Sequence, residues 1–84
     1  MKIVSLAKKK LAQRGVDESI VLETVYNPDQ IVKGHGSRSV AQKQYQFNRS
    51  DYLLRVVYEE KYNEFIVVTG YLTSQISRYW EVEQ

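Results

Sequence analysis

The stretch DYLLRVVYEE, residues 51–60, is rich in β-branched and aromatic side chains, which is typical of a β-strand. Arg55 interrupts its Leu-Leu-x-Val-Val run and, because side chains alternate along a strand, shares a face with Leu53 and Val57. A charge among apolar residues is costly unless it is paired or needed. Two explanations remain open: the guanidinium reaches water or an acid such as Glu59, or it binds an anion through its planar fork.

Two further strands flank this stretch. The segment RSVAQKQYQF, residues 38–47, alternates and places Ala41, Lys43 and Tyr45 on one face. The segment EFIVVTGY, residues 64–71, contains a continuous apolar run that favours a strand covered on both faces. NRSD at 48–51 and KYN at 61–63 are predicted turns, so the three strands form an antiparallel meander, and Ile31 and Val32 are candidates for a further short strand.

Upstream of the strands, the pattern predicts two helices, near residues 4–14 and 17–26. Apolar residues four positions apart, such as Ala7 and Leu11, give the first helix one apolar side, and Gly15 ends it. Asp17 is a suitable N-cap for the second helix, which cannot continue through Pro28.

This order of elements predicts a single domain, residues 1–84, of the α+β class. We expect the two N-terminal helices to pack on one face of an antiparallel sheet of three to four strands. The other face, called the open face below, is then available for binding.

Composition excludes several classes of site. The chain has no cysteine and one histidine, so we expect neither a disulfide nor a metal centre, and His35 alone is weak evidence for a hydrolase. We predict no cofactor. No apolar run approaches the ~18–20 residues of a membrane helix, and the N-terminus lacks a signal-peptide core. A cytoplasmic protein without a membrane partner is the expectation.

Charge and aromatic residues point to RNA as a possible partner. Twelve basic residues oppose ten acidic ones, and the chain has seven tyrosines. Tyrosines interleaved with Lys and Arg are typical of single-stranded RNA binding, because bases stack on rings while cations hold phosphates. The alternatives are that the aromatic side chains fill a thin core and that the basic residues form the solvent-exposed face of a helix. The candidate RNA-binding residues are Lys8, Lys9, Lys10, Arg14, Arg78 and Tyr79.

The chain resembles a known family along almost its whole length. The segments that carry the resemblance are LAKKKLAQRGVDESIVLETVYNPDQIVKG (6–34), QKQY (42–45), DYLLRVVYEE (51–60) and FIVVTGYLTSQISRYW (65–80). They resemble a bacterial family of small uncharacterised proteins that is related to the RelE/ParE-type toxins of toxin–antitoxin pairs. Two positions depart from the family pattern: Leu6 stands where many members have histidine, and Leu72 where many have proline.

The resemblance implies a RelE-like fold, a metal-independent ribonuclease and a protein antitoxin as partner. In such a reaction the RNA 2′-hydroxyl attacks the adjacent phosphate, a base takes its proton, and cations stabilise the charged transition state. Lys43 and Arg55 are then the electrostatic stabilisers, and Tyr71 or Tyr79 stacks on a base or transfers a proton. Leu6 weakens the enzymatic hypothesis if the family histidine is an acid or base.

Three hypotheses follow. The first is a toxin-like ribonuclease, or a descendant of one, with Lys43, Arg55 and Tyr71 as its catalytic group. The second is a non-catalytic module that binds RNA or a protein on the same sheet face. The third is a structural domain that dimerises through its sheet. Catalysis on the open face requires Lys43 and Arg55 to lie together near Tyr71, whereas binding alone does not.

Overall fold

The computed structural model describes residues 1–82 of the 84-residue chain and has an α+β fold. Within these residues, five strands form one sheet: β1 (Lys2–Ile3), β2 (Gln30–Lys33), β3 (Ser39–Phe47), β4 (Ser50–Lys61) and β5 (Glu64–Thr73). Three helices accompany the sheet: α1 (Ser5–Gln13), α2 (Glu18–Tyr26) and the short α3 (Ile76–Tyr79).

The sheet is mixed, with the strand order β1-β5-β4-β3-β2. Strands β2 to β5 form the predicted antiparallel meander, but β1 pairs in parallel with β5 at Ile66 and Val67. The prediction of three to four strands, all antiparallel, is therefore wrong in number and in this one pair. A strand of two residues has no side-chain alternation that a sequence pattern can display.

Two tight turns set the register of the meander. Asn48 and Arg49 have φ angles of 49° and 66°, and Tyr62 and Asn63 have 52° and 60°. Two-residue hairpins whose central residues both have positive φ match the right-handed twist of the flanking strands. The first turn brings β3 and β4 together over nine residue pairs, from Phe47↔Ser50 to Ser39↔Tyr58.

Helices α1 and α2 lie within two residues of the predicted bounds, because their end signals are local. Gly15 has a φ of 67°, and Val16 N–H closes the end of α1 on the Leu11 carbonyl at 2.9 Å. Asp17 holds the N-cap position of α2, although its side chain makes no cap hydrogen bond. Among residues 1–82, no helix has the length and apolarity that crossing a bilayer requires.

The main core lies between these two helices and one face of the sheet, called the helix face. Ala7 and Leu11 of α1 and Val21 of α2 pack against strand residues that include Leu54 and Val56, and all five are at most 1% exposed. Burying such apolar side chains is the dominant favourable term in folding. The helix layer is therefore the structural side of the molecule.

A β-bulge in β5 decides which of its side chains reach the open face. Val57 pairs with Thr69 while Tyr58 pairs with Val67, so Val68 is an extra residue. A bulge of this kind reverses the alternation of the side chains that follow it. Tyr71 therefore shares a face with Arg55, its partner in the register, whereas strict alternation from buried Val67 would have sent it to the helix face.

Candidate functional site

Arg55 lies on the open face and is held there by two neutral side chains. Its Nε donates a hydrogen bond to Gln42 Oε1 at 2.6 Å, and its Nη1 donates to the Tyr71 hydroxyl. Gln42 and Tyr71 are the residues directly opposite Arg55 on β3 and β5. The guanidinium is thus fixed in orientation while its positive charge is not cancelled by either contact.

Gln42 connects this arginine to two other parts of the chain. The Gln42 side chain is fully buried, and its Nε2 donates to Gln30 Oε1 at 2.8 Å and to the Tyr79 carbonyl at 3.2 Å. Within residues 1–82, every buried polar side-chain atom has a hydrogen-bond partner. A buried amide without partners would be destabilising, so these contacts specify one arrangement of the site.

The segment after β5, residues 75–82, crosses the open face, and we call it the C-terminal strap. The Glu81 N–H donates to Gln30 Oε1 at 3.0 Å, and Gln30 Nε2 donates back to the Glu81 carbonyl. The Tyr79 ring stacks on Arg55, with Cζ 4.2 Å from the ring centroid, and Arg78 Cζ lies 5.4 Å from the same centroid. The open face is therefore partly covered.

The prediction that Lys43 and Arg55 share one site is wrong. Lys43 is opposite Leu54, so it projects from the helix face, whereas Arg55 projects from the open face. Lys43 Nζ donates to the Asn27 carbonyl at 2.8 Å and lies 3.6 Å from Asp29 Oδ1. This lysine fastens the end of α2 to the sheet, and its charge is offset locally.

The other predicted residues divide between the two sides of the sheet. Arg78 and Tyr79 lie at Arg55, and Tyr71 and Tyr79 meet edge to face with centroids 6.3 Å apart. Arg14 reaches the β5 backbone, where its Nη1 donates to the Gly70 carbonyl at 2.8 Å. The lysines 8–10 belong to α1, which packs on the helix face, so the sheet separates them from Arg55.

A groove of about 440 Å³ continues the open face away from the strap. Its lining comes from the last residue of β2, from the β2–β3 loop and from neighbouring positions on β3, β4 and β5: Lys33, Gly34, His35, Arg38, Val40, Arg55, Val57 and Thr69. None of these side chains is a carboxylate. The groove thus combines an apolar floor with a basic rim, and Arg55 belongs both to it and to the Tyr79 cluster.

One acidic residue lies beside the groove. Glu59 Oε1 is 3.3 Å from Arg38 Nε, and its Oε2 is 3.5 Å from Lys61 Nζ. The hydrogen bond from Arg38, with a smaller contribution from Lys61, lowers the pKa of the Glu59 carboxyl. Glu59 is therefore ionised at neutral pH and offsets the charge of Arg38.

Sequence reasoning missed Gln30 and Gln42, which organise this site, and also Lys33 and Arg38, which line the groove. A signal for Gln42 was present, because the alternation of β3 assigns it to one face with Val40. No local pattern indicates that an amide in a polar run will be buried, since its partners are Arg55 and the distant strap.

Comparison of the chain with family models, curated proteins and solved structures returns no match. The resemblance to RelE/ParE-type toxins therefore stays a hypothesis that rests on the sequence segments quoted above.

Proposed function

We propose that the protein binds single-stranded RNA on the open face of its sheet as a non-catalytic module. Arg55 contacts a backbone phosphate, and Tyr79 and Tyr71 contact a neighbouring base. The observation that carries the proposal is the Arg55 cluster, in which one guanidinium is oriented by Gln42 and Tyr71 and stacked on Tyr79. Cations next to aromatic rings are the combination that single-stranded RNA binding uses.

Arg55 has hydrogen-bonding capacity left for a ligand. Its contacts to Gln42 and Tyr71 use two of the five N–H donors that a guanidinium carries. Charge-assisted bonds from the remaining donors to a phosphate are stronger than bonds between neutral groups. The exposed Arg78, whose Cζ is 5.4 Å from the centroid of the Tyr79 ring, supplies a second cation for the next phosphate.

A second candidate function is metal-independent cleavage of RNA by the same face, as the toxin resemblance suggests. The observation in its favour is the contact between the Tyr71 hydroxyl and Arg55, which sets a proton-carrying group beside a cation. Arg55 and Arg78 would then stabilise the transition state without Lys43, which lies on the helix face. An antitoxin that covers the open face is the corresponding protein partner.

The test of RNA binding is a titration of fluorescently labelled single-stranded RNA with the Arg55→Met and Arg55→Lys variants. Arg49→Met is the matched control, because Arg49 is exposed at the β3–β4 turn and loses the same charge. We expect Arg55→Met to weaken binding by about tenfold or more, Arg55→Lys by less, and Arg49→Met by about twofold or less. A folded Arg55→Met variant with the affinity of Arg49→Met would refute the proposal.

Cleavage is tested by incubating the same RNA with the protein in EDTA. If the second candidate is right, RNA fragments form in EDTA, and Tyr71→Phe and Arg55→Met both suppress them. Tyr62→Phe is the control, since Tyr62 is fully exposed in the β4–β5 turn. Intact RNA, together with Arg55-dependent binding, leaves the non-catalytic module as the function.

A further inference from the structure

Three side chains of β4 follow one another along the open face in an order that fits more than one nucleotide. They are Arg55, Val57 and Glu59, because alternate residues of a strand share a face. Arg55 lies against the Tyr79 ring, Val57 lines the groove, and Glu59 ends the row in its ion pair with Arg38. From the strap towards the groove, the face therefore presents an aromatic ring, a cation and then an apolar surface.

The groove has the size and the lining that the binding of a nucleobase requires. Val57 and Thr69 are directly opposite each other on β4 and β5, and the nearly buried Val40 is opposite Val57 on β3. His35 of the β2–β3 loop also lines the groove, and histidine is among the side chains on which RNA bases stack. A concave site of about 440 Å³ is in the range of sites for small molecules and has room for one base.

The charge around the groove fits a single phosphate. Of the three permanent cations in its lining, Arg38 is offset by Glu59, and Lys33 belongs by its register to the helix face, together with Tyr58 of the core. Arg55 is left, and its hydrogen-bond partners among residues 1–82 are neutral. One phosphodiester of RNA carries a charge of about −1, so one cation matches one linkage between two nucleotides.

We propose that the open face binds two consecutive nucleotides of an RNA strand, one on each side of Arg55. Arg55 contacts the phosphate that joins them, one base lies against Tyr79, and the other base enters the groove and lies against Val57. The inference rests on the proposed function, because Arg55 holds the phosphate in both. It adds a second base-binding subsite and makes a dinucleotide the smallest complete ligand.

The experiment is an NMR titration with ApA, two adenosines joined by one phosphodiester, beside forms of ApA that lack one base and beside adenosine. We expect ApA to shift the methyl resonances of Val40 and Val57, because a base ring changes the magnetic field at the methyl groups that it covers. Removal of either base should weaken binding by about fivefold or more, since each base loses its own contact surface. Unshifted valine methyl groups, a base that can be removed without effect, adenosine that binds as tightly as ApA, or no binding of ApA at millimolar concentrations would each overturn the proposal.

A matched pair of variants tests the assignment of one base to the groove. Val57→Ala removes part of the groove floor, and Ile31→Ala removes an apolar side chain that is 56% exposed on the helix face. In Val57→Ala, the loss of affinity on removal of one of the two bases should fall to about twofold or less, while the loss for the other base persists. Val57→Thr keeps the branched shape of valine and should change the same loss in the same direction. Both losses persist in Ile31→Ala, and their persistence in Val57→Ala and Val57→Thr as well would overturn the assignment.

Failure of this inference is distinguishable from failure of the RNA-binding proposal. Binding of ApA that Arg55→Met weakens, without a shift of the valine methyl groups, supports the RNA proposal and overturns the groove subsite. Base-dependent shifts at Val57 that Arg55→Met leaves unchanged support the groove as a base site and refute the RNA proposal, because the phosphate then has no role at Arg55.

Discussion

The two faces of the sheet hold their positive charges in opposite ways. On the helix face, Lys43 lies at the margin of an apolar core and is offset by Asp29 and the Asn27 carbonyl. On the open face, Arg55 lies at the centre of β4, and its hydrogen-bond partners in the described chain, Gln42 and Tyr71, are neutral. A charge that is oriented but not neutralised by a nearby acid remains available to a ligand. A charge that is paired locally contributes instead to the stability of the fold.

The difference also concerns how each face is closed. Two helices cover the helix face with an apolar cluster, while the open face is covered in part by the C-terminal strap, which Gln30 and Gln42 hold through backbone groups. Polar contacts of this kind contribute less net free energy than apolar burial, but they are specific in direction. The helix face therefore contributes the main apolar core, whereas recognition on the open face is what we propose.

The sharpest test of this division uses two adjacent leucines that are both fully buried, Leu54 on the helix face and Leu53 on the open face. Leu54→Ala should lower the free energy of unfolding by about 3–4 kcal/mol and Leu53→Ala by about 2 kcal/mol, because Leu54 belongs to the apolar cluster under the helices and Leu53 lies outside it. Urea denaturation measures both values. A larger loss for Leu53→Ala would contradict the division.

The polar network on the open face should give the next largest effect. Gln42→Leu leaves donors and acceptors of Gln30, Arg55 and Tyr79 without their partner, so we expect a loss of about 2 kcal/mol and weaker RNA binding. Gln44→Leu is the matched control on the same strand, since Gln44 is exposed, and it should change stability by about 0.5 kcal/mol or less. Equal stability of the two variants would show that the network is dispensable.

On the helix face, Tyr45 should make stability depend on pH in the alkaline range. The Thr24 hydroxyl lies 2.6 Å from the Ile20 carbonyl, to which it donates, and forms a hydrogen bond of 2.9 Å with the Tyr45 hydroxyl. Burial is the largest of the causes that raise the pKa of Tyr45 above its ordinary value. The unfolded chain therefore loses this proton first, so the stability is present below about pH 10 and is lost as pH rises through the folded pKa.

Tyr45→Phe should accordingly lower stability by about 1 kcal/mol at neutral pH and reduce the fall in stability above about pH 10. Thermal unfolding at a series of pH values measures both effects. Part of the fall should persist, because burial also raises the pKa of Tyr58. The fully exposed Tyr62 provides the control Tyr62→Phe. An unchanged alkaline fall in Tyr45→Phe would exclude Tyr45 as its source.

The smallest effect is expected for Lys43→Met. This variant removes the ion pair with Asp29, whose side chain is 40% exposed, so the loss of stability should be about 1 kcal/mol or less. RNA affinity should change by about twofold or less, because Lys43 is on the other side of the sheet. A loss of RNA binding as large as that of Arg55→Met would return Lys43 to the binding site and break the comparison between the faces.

Much of the fold was predictable from local sequence. Gly15 and Pro28 end the two helices through backbone geometry that depends on a few neighbours, so the predicted bounds were right within two residues. Alternation also assigned Lys43 and Arg55 correctly to faces of their own strands. Alternation did not show whether Lys43 and Arg55 project from the same face of the sheet, because this depends on the number of residues in the turn between β3 and β4.

The register shows how one such detail decides the candidate site. The two-residue turn at Asn48 and Arg49 pairs Gln42, rather than Lys43, with Arg55. With one more residue in the turn, Lys43 rather than Gln42 would share a face with Arg55, because successive side chains point to opposite faces. The bulge at Val68 acts in the same way on β5, where it brings Tyr71 to Arg55.

The sequence by itself determined the α+β class, the two helices, the meander and the presence of an arginine in an apolar strand. Only the tertiary structure decided what surrounds that arginine. Gln42 bonds to a backbone group 37 positions away, and Gln30 to one 51 positions away. Helix and strand patterns arise from neighbours within a few residues, whereas a site held by such distant partners exists only once the sheet and the strap have come together.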